Sequence, residues 1–178
     1  MLKKLLGTNL YAGGKVSDEE NRGKAIDIYN KACKASKSGN YKTAEVLLTD
    51  AILLQKDFED AYYNRAEARI ALGNYDGAVE DCSKVIQLNT KAADAYLTRG
   101  AAKAFKKDYP GCIEDTGQSI VLGISNPIAY YNRGMAYYFI SKKNEAISDL
   151  IQFLILSPDD ERVHSVYEVF ASLNTDNK

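Results

Sequence analysis

Three segments of the chain, AYYNRAEAR from Ala61, AYLTRGAAK from Ala95 and AYYNRGMAY from Ala129, recur at an offset of 34 residues. GNYKTAEVL from Gly39 and GNYDGAVED from Gly73 share the same offset. One register therefore runs without insertion through units 25–58, 59–92, 93–126 and 127–160. A repeat of this length is a single supersecondary unit that cannot bury its own apolar side. Only stacking on neighbouring copies gives a continuous core.

Each unit reads as two helices. In the second, Tyr62, Ala66 and Ile70 lie four apart on one helix face, and Ala78, Cys82, Val85 and Ile86 form the stripe of another. Gly73-Asn74-Tyr75 between them is a turn with a helix-stopping glycine, so the spacing predicts helices over 61–72 and 76–88. The short turn makes them antiparallel. An array end exposes an apolar face, and residues 161–173 read as the capping helix that covers it, with Val163, Val166, Tyr167 and Phe170 on one side. At the front, Ser17 and Glu20 read as a capping box that opens the first helix near Asp18. The domain reading is an array over 17–173, an N-terminal arm of residues 1–16 and a tail of residues 174–178. The arm combines Leu2, Leu5, Leu6 and Leu10 with Gly7, Gly13 and Gly14, and is read as a mobile tail, a docking arm or a membrane-surface anchor.

Composition excludes several function classes. Lys plus Arg is 23 and Asp plus Glu is 24, so no overall positive field draws in nucleic acid. With 3 Cys, no C-x-x-C spacing and one His, neither a disulfide framework nor a zinc site is expected. Cys82 and Cys112 sit at core slots, Cys33 on the expected groove side, and His164 on the polar side of the cap. No nucleophile–base pair, phosphate loop or contrasting carboxylate pair stands out, so no cofactor and no catalysis are expected. No apolar run is long enough for a membrane span. Gly7, Thr8 and Asn9 interrupt the leading apolar run, so the N-terminus reads as uncleaved and the protein as cytoplasmic.

These units resemble the tetratricopeptide repeat family. The eighth position carries Ala32, Ala66, Gly100 and Gly134, and the twentieth Ala44, Ala78, Cys112 and Ala146, the small residues this family places where its helices cross. The seventeenth carries Tyr41, Tyr75 and Tyr109, with Lys143 departing; the closing proline survives only at Pro158. The resemblance implies an all-α, right-handed superhelical solenoid of four helix-turn-helix repeats plus a C-terminal capping helix. Arg65, Arg99 and Arg133 recur at the seventh position, and Asp81, Asp115 and Asp149 at the twenty-third. A structural ladder of Arg–Asp pairs is the expectation; arginines gripping an acidic ligand are the alternative.

In the family the first helix of each unit lines a concave binding side. Carried over by position, the candidate groove residues are Tyr29, Tyr63, Asn64, Leu97, Phe105, Tyr131, Asn132, Met135, Tyr138 and Phe139. Aromatic rings and Met suit an interface, and asparagine amides can hold an extended backbone. For the tyrosines and phenylalanines in this set, packing and binding both stand as readings. A subclass of the family clamps acidic chaperone tails, and the matching positions are Tyr29, Cys33, Asn64, Asp94 and Thr98, of which only Asn64 agrees. The expected function is a non-catalytic scaffold for a protein or peptide partner. The alternatives are a homo-oligomer formed through residues 1–16 or the array ends, and a chaperone adaptor gripping with Arg65 and Arg99.

Overall fold

The structure, a computed structural model, describes residues 17–123 and 126–175. The arm of residues 1–16, Ile124 and Ser125, and the tail residues 176–178 lie outside the described residues. The described residues form helices α1 (Asp18–Lys37), α2 (Tyr41–Leu54), α3 (Glu59–Ala71), α4 (Tyr75–Leu88), α5 (Ala93–Phe105), α6 (Tyr109–Val121), α7 (Pro127–Phe139), α8 (Lys143–Leu156) and α9 (Val163–Thr175). Each helix packs against the next along the chain, and α1, α3, α5 and α7 also touch in sequence order. The fold is an all-α solenoid of helical pairs. No described helix is long and apolar enough to cross a membrane.

Local chemistry sets the boundaries. The Ser17 hydroxyl accepts from the Glu20 amide at 3.1 Å and opens α1, whose first turn is acidic. The turns at 39, 73, 107 and 141 share one geometry. In each, the residue with positive φ donates three residues back, and its successor donates five residues back, as in Asn74 to the Arg69 carbonyl at 2.8 Å. Gly39 and Gly73 fill that position at φ 74° and 75°, while Lys107 and Ser141 hold it at φ 63° and 61°.

Packing follows from side-chain size. Ala32, Ala66, Ala44, Ala78, Cys112 and Ala146 are all at 0% exposure, so the helices of each pair meet backbone to backbone. A Cβ on Gly134 would lie 2.9 Å from Leu150 Cγ, and one on Gly100 2.9 Å from Thr116 Cγ2. Larger residues there would overpack at about 1–3 kcal/mol. At the far end Leu150 and Phe153 of α8 form a core with Val166, Val169 and Leu173 of α9. α9 begins at Val163, after Asp160 has accepted from both the Arg162 amide, at 2.9 Å, and its guanidinium, at 2.8 Å. Those two bonds hold the Asp160 carboxyl below its ordinary range. Glu161 and Arg162 thus belong to the turn that leads into α9. Lys143 on α8 donates to the Leu173 carbonyl.

Candidate functional site

Two adjoining depressions run along the face built by α1, α3, α5 and α7. The first, about 680 Å³, is lined by Cys33 and Lys37 of α1, Tyr63, Asn64, Glu67 and Ile70 of α3, Asp94, Leu97 and Thr98 of α5, and Asn132 of α7. The second, about 530 Å³, is lined by Phe105, Lys107, Tyr109, Tyr131, Met135, Phe139 and Arg162. Ala101 and Asn132 line both, so the two make one groove.

The tyrosines at the fifth position of three units, Tyr29, Tyr63 and Tyr131, tie neighbouring helical pairs together. Asn64 Nδ2 donates to the Tyr29 hydroxyl at 2.9 Å and to Cys33 Sγ at 3.3 Å. The Thr98 hydroxyl donates to the Tyr63 hydroxyl at 3.4 Å. Burial pushes both phenols up to about 12, so they stay protonated. Tyr29 also packs its ring on Phe58, with centroids 5.0 Å apart. The Tyr131 and Tyr138 hydroxyls meet Ser165 at 3.2 Å and Ser172 at 3.1 Å. Both serines lie 34 residues beyond their partners, so α9 stands where the first helix of another repeat would stand. Tyr131, Tyr138 and Met135 also pack against the α8–α9 core, and Leu97 is buried at 8% exposure.

Phe105 and Phe139 differ from the rest. They are 60% and 54% exposed, yet each is stacked on the tyrosine that opens the helix of the preceding unit: Phe105 on Tyr75 and Phe139 on Tyr109, both with centroids 4.8 Å apart. Stacking fixes the ring while leaving its outer face in water. The sequence reading missed these tyrosines as site residues. Their signal was present, since Tyr75 and Tyr109 stand 30 residues ahead of Phe105 and Phe139, whereas Tyr41 has Ala71 at that distance.

The charged pairs lie between helices. Arg65 grips Asp81 through two bonds of 2.9 and 2.7 Å, Arg99 grips Asp115 through 2.9 and 2.7 Å, and Arg133 grips Asp149 through 2.7 and 2.8 Å. Arg65 also donates to Thr49 and Arg99 to Ser83, each at 3.0 Å, so each of these guanidiniums joins three helices. Tyr62, Tyr96 and Tyr130 lie beneath the three arginines at 5.5 to 5.8 Å. Arg69 and Lys103 add second cations to Asp81 and Asp115, at 2.9 and 2.8 Å. Arg65 and Arg99 are thus engaged by buried carboxylates and hydroxyls.

The groove itself carries charges of both signs, with its two carboxylates in the first depression and Lys107 and Arg162 on the second. Glu67 and Asp94 face its first depression, with Lys37 at one edge. Exclusion of water by the groove walls, with Asp94's charge adding to it, raises the Glu67 carboxyl above its ordinary value. Cys82 and Cys112 are fully buried, and burial pushes their thiols up to about 12, so neither carries thiolate chemistry at neutral pH.

Stacked helical pairs with small residues at their crossings and a groove on one side define a helical-repeat solenoid. Residues 59–91 and residues 128–160 each match a family model described as tetratricopeptide repeat. These two units are tetratricopeptide repeats. The Arabidopsis OM64 TPR domain is 28% identical, with a TM-score of 0.64 over 65% of this chain and 96% of that one. The crystal structure of MamA protein is 21% identical, with a TM-score of 0.71 over 80% of this chain and 77% of that one. The first TPR of Spaghetti (RPAP3), bound to the HSP90 peptide SRMEEVD, is 24% identical, with a TM-score of 0.65 over 67% of this chain and 95% of that one. At the identities of the last two, the likeness is one of fold. No curated protein sequence matches the chain.

Proposed function

We propose that the chain is a non-catalytic scaffold that binds an extended segment of a protein along the groove of α1, α3, α5 and α7. The observation that carries this reading is the pair Phe105 and Phe139. Each ring is more than half exposed, each is held by a stack on a tyrosine, and both line the same depression. A rigid aromatic with one open face is what interface anchors are made of, because it buries area at little cost in entropy. Asn132 lines the groove beside them and supplies an amide donor and acceptor for a partner's backbone, while Asn64, whose amide hydrogens are taken by Tyr29 and Cys33, offers its carbonyl oxygen.

A solved neighbour carries an acidic peptide, SRMEEVD. Here the equivalent chemistry is unfavourable. Arg65 and Arg99 are engaged with Asp81 and Asp115, and Glu67 and Asp94 would repel carboxylates. The scaffold reading therefore stands without the basic grip of a chaperone adaptor.

The test is a quantitative capture from lysate of the source organism with the wild-type chain and with Phe105→Ala/Phe139→Ala. Circular dichroism first establishes that the variant is folded. The expected result is one or more proteins retained by wild type and lost by the variant. Equal retention by both removes the groove from consideration as the binding surface.

A further inference from the structure

The groove has two chemistries in a fixed order. At α3 and α5 it presents the carboxylates of Glu67 and Asp94; at α5 and α7 it presents the open faces of Phe105 and Phe139. Lys107 and Arg162 border the second depression, and Arg162 is already paired with Asp160 at 2.8 Å. An occupant that satisfies both halves carries ammonium groups next to bulky apolar side chains.

One segment of this chain has that composition. Residues 1–16, MLKKLLGTNLYAGGKV, contain Lys3, Lys4 and Lys15, no acidic residue, and Leu2, Leu5, Leu6 and Leu10. The segment is joined to the array at Ser17, which caps α1, the helix that forms one wall of the groove. Ser17 opens α1 while Cys33 and Lys37 line the groove at its far end, about 25–30 Å along the axis. With neighbouring axes about 8–10 Å apart, the whole path from Ser17 to the groove at α5 is about 35 Å. Sixteen residues span up to about 50 Å when extended. A tether of this length holds the segment at an effective concentration of the order of millimolar, so modest intrinsic affinity fills the groove.

We propose that residues 1–16 occupy the groove of their own chain, with lysines against Glu67 and Asp94 and leucines against Phe105 and Phe139. The inference rests on the groove being the binding surface, and it makes the chain's own segment the competitor that a partner displaces.

The test uses the full chain with the photo-crosslinking residue benzoylphenylalanine in place of Leu6. Equal amounts of isotope-labelled and unlabelled chains are mixed, irradiated and mapped by mass spectrometry. The expected crosslinks fall on groove residues between Tyr63 and Phe139 and join positions of the same chain. Lys3→Glu/Lys4→Glu reduces them at least about fivefold, Glu67→Lys/Asp94→Lys does the same, and the combined charge swap restores them. Crosslinks that miss the groove, that join different chains, or that persist unchanged in both charge variants overturn the proposal. If they miss the groove while partner capture still depends on Phe105 and Phe139, the arm inference fails and the groove reading stands. If capture is also indifferent to those rings, both fail.

Discussion

Arg133 faces Gly117 across the α6–α7 contact, at the place where Arg65 takes the Thr49 hydroxyl and Arg99 takes the Ser83 hydroxyl. A Cβ on Gly117 would lie 3.7 Å from Arg133 Nη1, which is ordinary contact distance. Gly117→Ser therefore restores the missing member of a three-copy pattern. Replacing glycine inside a helix contributes about 0.5 kcal/mol, and a hydrogen bond to a charged group about 1 kcal/mol or more. The expected gain is about 1–2 kcal/mol in urea unfolding followed by circular dichroism. Gly117→Ala is the control, because alanine is the better helix former yet has no hydroxyl. Serine outperforming alanine establishes the contact; alanine matching or exceeding it refutes the contact.

The buried carboxylates differ in how many cations they hold. Asp115 is 1% exposed and holds Arg99 and Lys103, while Asp149 is 6% exposed and holds Arg133. Removing one side of a buried pair strands the other charge and costs about 3–5 kcal/mol. Asp115→Ala is expected near the top of that range and Asp149→Ala near the bottom, read from unfolding midpoints. The reverse order would show that cation number does not set the cost.

The parts of this molecule that repeat are the parts legible in its sequence. Ala32, Ala66, Gly100 and Gly134 announce where helices cross because the constraint, a lack of room, acts identically in every unit. The recurrence of arginine and aspartate is equally visible. That two of the guanidiniums take a third partner is not, because Thr49, Ser83 and Gly117 share no obvious side-chain class until a structure puts them before an arginine. The groove was harder to read. Tyr131 and Tyr138 count as groove residues by position, yet their hydroxyls are bonded to Ser165 and Ser172 of α9. The register continues into the cap, but the cap has lost the family's other marks. Phe105 and Phe139 owe their poise to Tyr75 and Tyr109, a pairing between different positions of different units, which a position-by-position reading separates.

The turn geometry gives a third prediction. Lys107 and Ser141 adopt φ of 63° and 61° at the position where Gly39 and Gly73 sit. A side chain in that region costs about 1–2 kcal/mol, part of which glycine returns as lost backbone entropy on folding. Lys107→Gly and Ser141→Gly are each expected to stabilise by about 0.5–1 kcal/mol, and Gly73→Ala to destabilise by about 1 kcal/mol. Thermal unfolding at matched concentration reads all three. Stabilisation by Gly73→Ala would contradict the shared geometry.

Glu45 supplies a pH signature. Its carboxylate bonds Lys42 at 3.0 Å within α2 and Arg69 at 3.2 Å on α3, and those cations hold it below its ordinary value of 4.5, Lys42 foremost. The Arg69 contact joins two side chains that are 17% and 15% exposed and is sheltered from salt and water, whereas Lys42 is 76% exposed and its contact is screened. A folded-state carboxyl that is lowered contributes stability that is fully present above the unfolded value and is lost as pH falls through the folded one. Glu45→Gln is thus expected to lose about 1 kcal/mol at pH 7. The gap between variant and wild type stays constant down to about pH 5.5 and closes as the pH drops below about 4.5. Unfolding midpoints measured from pH 7 to pH 3 give the curve. A gap that persists unchanged at pH 3 would mean that the substitution acts through packing, and a gap that widens on acidification would reverse the sign of the linkage.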